Sequence, residues 1–177
     1  VSAMATAEGV RLNWRASGTD FRIFRFLGSE AFARVGDTSQ PPWTDSATEF
    51  GKTYVYQVQT IDKLPGDHEA ESDLSQPVSI TPVDKFPPAV PAGIRVTAGS
   101  NSVELSWNAD TDPDLAGYRV YRAAPGGPFE KIADTSTVPA YSDHTVESGK
   151  TYRYSISAVD QAGNESVRSE EIAVTLE

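Results

Sequence analysis

The chain has no cysteine, one methionine and two histidines in 177 residues, and each scarcity removes a class of chemistry. Without cysteine there are no disulfides, no thiolate metal ligands and no thiol nucleophile. The absence fits a reducing compartment, and it fits equally a bacterial protein exported from the cytoplasm. His68 and His144 stand in polar stretches that lack the His, Asp or Glu spacing of zinc or acid–base sites, so both are expected at the surface. No nucleophile-elbow pattern accompanies the serines and aspartates, and no glycine-rich phosphate loop occurs. No catalytic residue, no metal site and no cofactor site is therefore expected.

Basic clusters are missing too. The net charge of -10 comes from 25 acidic against 15 basic residues, with 12 against 8 in residues 1–86 and 13 against 7 in residues 87–177. A nucleic-acid binder needs a basic patch to displace counterions from phosphate, and an anionic membrane surface makes the same demand, so both partners are disfavoured. No apolar run approaches the ~18 residues that span a bilayer. The chain opens on Val1 with neither Met nor a signal peptide, which reads as a processed or excised piece of something longer.

What the chain does have is a repeat. Val10-Arg11-Leu12-Asn13-Trp14 lies on Val103-Glu104-Leu105-Ser106-Trp107 at an offset of 93. Phe21-Arg22-Ile23 and Arg25 fall on Tyr118-Arg119-Val120 and Arg122 at 97, and Phe32, Val35 and Asp37-Thr38 fall on Phe129, Ile132 and Asp134-Thr135 at the same offset. Gly51-Lys52-Thr53-Tyr54 returns as Gly149-Lys150-Thr151-Tyr152 at 98, and Glu71-Ser72 as Glu165-Ser166 at 94. Offsets that step only between strands are what loop insertions produce, and the last step places a four-residue longer loop in the first copy, around Leu64-Pro65-Gly66-Asp67.

Between the copies, four prolines fall in the eleven residues from Thr81 to Pro91, which denies the backbone both helix and ladder bonding. The reading is two domains, 1–83 and 92–177, joined by a Pro-rich, semi-rigid linker at 84–91. Periodicity within each copy is two: Tyr54, Tyr56 and Val58 alternate with Val55, Gln57 and Gln59, and Tyr152, Tyr154 and Ile156 alternate with Arg153, Ser155 and Ser157. No helical stripe is sustained, and Gly, Pro, Asn, Asp and Ser punctuate the runs. The fold expected is all-β, two immunoglobulin-like sandwiches of about seven strands each.

The residues that carry both copies in order are a Trp closing the second strand (Trp14, Trp107), the Gly-Tyr-Arg-Val-Tyr-Arg stretch from Gly117 to Arg122, and an aromatic before Asp (Trp43-Thr44-Asp45, Tyr141-Ser142-Asp143). To these add the Gly-Lys-Thr-Tyr that leads the strand ending at Ala158-Val159-Asp160. This pattern resembles tandem fibronectin type III domains of the bacterial extracytoplasmic type. The resemblance implies that Trp14 and Trp107 fill the space between two sheets about 10 Å apart. It also implies that Tyr54 and Tyr152 form tyrosine corners, each hydroxyl bonding back to an upstream backbone group.

Two stretches differ between the copies. Asp110-Thr111-Asp112-Pro113-Asp114 offers the hard oxygens that Ca²⁺ takes, yet it lacks a glycine-spaced loop and a distant bidentate Glu, so it reads as a solvated turn. Phe21-Arg22-Ile23-Phe24-Arg25-Phe26-Leu27 carries more apolar residues than one face of a strand can bury. Either a bulge covers Phe24 and Phe26 within the domain, or they form an exposed interaction surface flanked by Arg22 and Arg25. Trp43 as a sugar-stacking platform is opposed by its match to Tyr141, a position expected in the core.

The function these features imply is a non-catalytic spacer and protein-interaction module of a secreted or cell-surface bacterial protein, lipid-anchored where a missing N-terminus supplies the anchor. An accessory module of a carbohydrate-active or other hydrolytic enzyme is the alternative, and a subunit of a surface assembly or filament is another. The partner expected is a protein or a cell-surface polymer; nucleic acid and a membrane-spanning role are not.

Overall fold

A computed structural model describes residues 1–15, 17–28, 32–66 and 68–177. The chain divides into two compact units, Val1–Asp84 and Lys85–Glu177. No helix is long and apolar enough to cross a membrane among the described residues.

The first unit holds β1 (Ser2–Thr6), β2 (Gly9–Asn13), β3 (Asp20–Leu27), β4 (Ala33–Thr38), β5 (Trp43–Asp45), β6 (Tyr54–Leu64), β7 (His68–Glu71) and β8 (Val78–Ile80). One antiparallel sheet runs β1-β2-β5; the other runs β4-β3-β6-β7, with β8 also on β6. Alternation along each strand builds the core from both sheets, since Val10 and Leu12 of β2 meet Phe21 and Ile23 of β3 and Tyr54, Tyr56 and Val58 of β6. Backbone approaches are tight enough to exclude side chains at two glycines. A Cβ on Gly9, whose φ is +132°, would meet the Asp45 carbonyl oxygen at 2.1 Å, and one on Gly36 would meet the Trp43 ring at 2.3 Å.

The second unit holds β9 (Arg95–Ala98), β10 (Val103–Ser106), β11 (Leu115–Ala123), β12 (Phe129–Thr135), β13 (Ala140–Asp143), β14 (Thr151–Asp160) and β15 (Ile172–Thr175). Its sheets run β13-β10-β9 and β12-β11-β14-β15. Val103, Leu105 and Trp107 pack against Tyr118, Val120, Tyr152, Tyr154, Ile156 and Ala158.

Among the described residues the second unit has the seven strands expected and the first has eight. The additional strand is β7, and it is the physical form of the four-residue insertion: β6 continues to Leu64, and His68 to Glu71 pair back along it. Asp67 lies outside the described residues. In the second unit β14 stops at Asp160, and the matching return is a single bridge between Val159 and Glu165.

Beyond that return the two units share a device. The segment after Ser72 runs beside β6 without regular pleating: the Ser72 and Ser75 amides donate to the Thr60 and Val58 carbonyls, while their hydroxyl oxygens accept from the Thr60 and Val58 amides. Ser166 and Ser169 do the same with Ala158 and Ile156 of β14. Each hydroxyl hydrogen then donates to the next carbonyl along, those of Asp73, Gln76, Val167 and Glu170. A serine pair three residues apart thus closes two rungs of the ladder through side chains.

Trp107 is 4% exposed and meets Tyr118 edge-on, with ring centroids 5.1 Å apart. Trp14 meets Phe21 in the same way at 5.3 Å but is only half-buried. The difference lies in the flank. Next to Trp107 in the chain, the Asn108 amide donates to the Ala92 carbonyl at 2.9 Å, which ties the segment carrying buried Pro91 alongside the end of β10. Trp14 instead lines an open groove with Val1, Asn13, Val58 and Ser75. The Tyr54 and Tyr152 hydroxyl oxygens accept from the Glu49 and Glu147 amides, at 2.9 and 3.1 Å, each five residues upstream.

Candidate functional site

Each unit contains a carboxylate buried among donors. Asp45 Oδ2 accepts from the Tyr56 hydroxyl and from Arg25 Nη1, both at 2.8 Å, and Oδ1 accepts from the Ala47 amide at 3.0 Å. Asp143, 0% exposed, repeats this with Tyr154 and Arg122, both at 2.8 Å, and with the Thr145 amide and hydroxyl. Each guanidinium also lies over the tyrosine-corner ring, Arg25 over Tyr54 at 5.5 Å and Arg122 over Tyr152 at 5.2 Å.

Burial pushes the Asp143 carboxyl up, but the bonds from Thr145, Tyr154 and Arg122 outweigh it and leave its pKa below the ordinary carboxylate value. Burial first, and the neighbouring carboxylate second, raise the Tyr56 and Tyr154 hydroxyls. Desolvation opposes the charge on Arg25 and Arg122, yet their aspartates raise both. These groups hold one another, and the arrangement is the same in both units, which is the mark of architecture rather than chemistry.

Arg25 therefore departs from its expected place. One of the two sequence readings has it flank an exposed Phe24–Phe26 patch, but it lies in phase with Phe21 and Ile23 on the inner side of β3, where Asp45 neutralises it. Phe24 and Phe26 take the alternate phase with Arg22. Both are half-buried and neither belongs to the core. A bulge is present, between Ile23 and Phe24 in the pairing with β4, yet it does not turn either ring inward.

On this outer face Phe24 stacks on Phe32, the rings 5.3 Å apart and within 8° of parallel. Phe26 pairs across the ladder with Val55. Phe32 is 38% exposed and Leu74 39%. Arg22 bonds to Glu71 and, at 2.5 Å, to Glu69. Gln57 and Gln59 spend their amide hydrogens on the Ser75 and Ser72 carbonyls, at 2.7 and 2.9 Å.

The matching face of the second unit is occupied by its own cations. Arg168 lies over Tyr121 at 5.1 Å and over Phe129 at 5.2 Å, and Arg153 lies over Phe129 at 5.1 Å while bonding Glu171 at 2.9 Å. Glu165 accepts from Arg119 and, at 2.5 Å each, from the Tyr121 and Ser157 hydroxyls. Those bonds overcome its burial and lower its pKa. By the repeat offsets, Tyr121, Phe129, Arg153 and Arg168 correspond to Phe24, Phe32, Val55 and Leu74.

The remaining candidates resolve into structure. Asp110 Oδ1 accepts from the Asp112 amide at 2.9 Å and the Asp110 amide donates to the Tyr118 hydroxyl at 3.0 Å, so the acidic stretch is a hydrogen-bonded turn. Asp114 brings its carboxylate within 4.8 Å of that of Asp160, whose oxygens accept from the Asn164 amides. His68 and His144 are exposed. Trp43 is half-buried and packs against the first core, its ring lying over Gly36.

A family model described as fibronectin type III domain matches residues 89–175. Exoglucanase B of Cellulomonas fimi is 29% identical over 98% of this chain, which spans 16% of that protein. An amylopullulanase of Thermoanaerobacterium saccharolyticum is 41% identical over 49% of the chain, which there spans 7% of the relative. Among solved structures, a two-domain fibronectin type III segment from chicken tenascin superposes with a TM-score of 0.55 at 19% identity, covering 99% of this chain and 96% of that one. At that identity the likeness speaks for the fold alone.

Proposed function

Given that the chain belongs to the fibronectin type III family, as two such domains in tandem, we propose that it is a non-catalytic accessory module of a secreted bacterial enzyme acting on a polysaccharide. In that role it spaces the catalytic domain from its surroundings and offers a contact surface. The observation that carries the reading is the alignment with exoglucanase B, which runs through 98% of this chain and only 16% of that protein. Both units recur together there as a minor part of a larger polypeptide.

Two features of the chain support it. The charged groups with the most perturbed surroundings, Asp143 with Arg122 and Tyr154 and their first-unit counterparts, are bound to one another inside the fold. The excess of acidic residues suits a solvated module beside an uncharged polymer and disfavours polyanions. The test is to isolate the native polypeptide containing residues 1–177 and map its remaining sequence and activity. We expect an adjoining hydrolase region whose turnover of insoluble polymer falls severalfold when these residues are excised, while turnover of soluble oligosaccharide is unchanged. A native polypeptide with no hydrolase region overturns the reading.

A further inference from the structure

We propose that the outer face of β3 and β6 in the first unit, built on Phe24, Phe26, Phe32, Val55 and Leu74, docks a neutral polysaccharide chain. The proposal rests on the accessory role above and adds a site to it. The strip is continuous: Phe24 and Phe26 are two residues apart on one face, Phe32 stacks on Phe24, and Val55 stands directly across from Phe26. Aromatic faces of this kind suit the C–H-rich faces of pyranose rings, and a strand lays them out along a line that an extended polymer can follow.

The polar groups around the strip decide the class of ligand. Arg22 is outnumbered by its partners Glu69 and Glu71, and Gln57 and Gln59 are uncharged. The rim thus carries one net negative charge, within a chain of net charge -10, and the two together repel a polyanion. An anionic partner is repelled here, whereas a neutral polyhydroxylated chain matches the rings and can donate its hydroxyls to the Gln57 and Gln59 side-chain oxygens, whose amide nitrogens already bond within the domain. The second unit supplies the contrast, because there Arg153 and Arg168 already cover the equivalent rings.

Affinity electrophoresis of the 177-residue chain tests this, in native gels containing hydroxyethylcellulose, glycol chitin, soluble starch or, as an anionic comparator, polygalacturonate. Retardation is expected in at least one neutral gel and not in polygalacturonate. Phe24→Ala with Phe26→Ala should weaken it about tenfold. Leu74→Arg, at an exposed position that leaves the core untouched, should weaken it as well and stands in should the double variant lose its circular dichroism. Tyr121→Ala with Arg168→Ala, on the other unit, should leave retardation unchanged.

No retardation in any neutral gel, retardation by polygalacturonate alone, or equal loss from the second-unit variant overturns the site. So does a concentration-dependent dimer abolished by the phenylalanine variant, which would make a second copy the occupant. A native polypeptide that carries a hydrolase region while this chain is not retarded would remove the docking strip and leave the accessory role standing.

Discussion

In the second unit Arg168 lies over the rings of Tyr121 and Phe129, with Arg153 over Phe129 from its own strand. In the first unit the same positions hold Leu74, Phe24, Phe32 and Val55, and the rings stack on each other instead. Apart from β7 the backbone is matched strand for strand, and the Arg–Glu pair at the end of the face is matched too, as Arg22 with Glu71 and Arg119 with Glu165. Two guanidinium groups and one hydroxyl make the difference between a face closed by its own side chains and one that stays apolar. The scaffold is therefore set by residues the copies share, and the surface chemistry by three positions at which they differ, Phe24/Tyr121, Val55/Arg153 and Leu74/Arg168.

That contrast can be broken at the shared positions or sharpened at the different ones. The largest effect is expected from Asp143→Ala, which strands Arg122 and the Tyr154 hydroxyl in a buried site and should cost the second unit about 3 kcal/mol. Asp45→Ala should cost the first unit a similar amount, and calorimetry resolving two transitions checks both. Unequal losses would mean that the two clusters are not equivalent.

Next in size is an acid dependence. The Asp143 carboxyl titrates lower in the folded protein than in the unfolded chain, so its contribution is complete above the ordinary carboxylate range and fades as pH falls through the lowered folded value. The urea midpoint of the second unit should drop as pH falls below the ordinary aspartate value of about 4. Asp143→Asn should flatten that slope.

Smaller again, Tyr54→Phe and Tyr152→Phe should each cost about 1 kcal/mol, the worth of one hydroxyl bond that fixes the strand crossover. A sizeable difference between them in thermal unfolding would show that the corners carry different loads. The smallest stability change belongs to Arg168→Leu with Arg153→Val, about 1 kcal/mol in all. It should nevertheless give the second unit an apolar face like the first, and so strengthen retardation in a neutral-polymer gel.

Much of this was legible in the residues. The period-two alternation of Tyr54, Tyr56 and Val58 and of their second-unit counterparts announces strands with one buried face, and the stepped offsets separate strands from loops. Arg25 was harder, because charge argues for the surface while strand phase puts it on the side of Phe21 and Ile23. Phase wins, since Asp45 waits there, and that carboxylate comes from a strand in the other sheet. The signal available was that Arg25 and Asp45 both recur, as Arg122 and Asp143. The half-buried state of Trp14 was not legible, because it depends on which segment flanks the ring rather than on the ring itself. Nor was β7, since an insertion read only as length does not say whether it pairs back.

The serine pairs at Ser72 and Ser75 and at Ser166 and Ser169 have a bearing on how such a chain is made. Two look-alike domains on one polypeptide emerge one after the other, each at millimolar effective concentration for its sibling, where a clean pleated rim invites strand exchange between them. A rim whose amides are spent on its own neighbour, whose hydroxyls stand in for carbonyls, and whose next carbonyls are already taken offers a newcomer few free rungs in register. Four hydroxyl groups thus leave these two rims with fewer free rungs than a regular pleated strand would present.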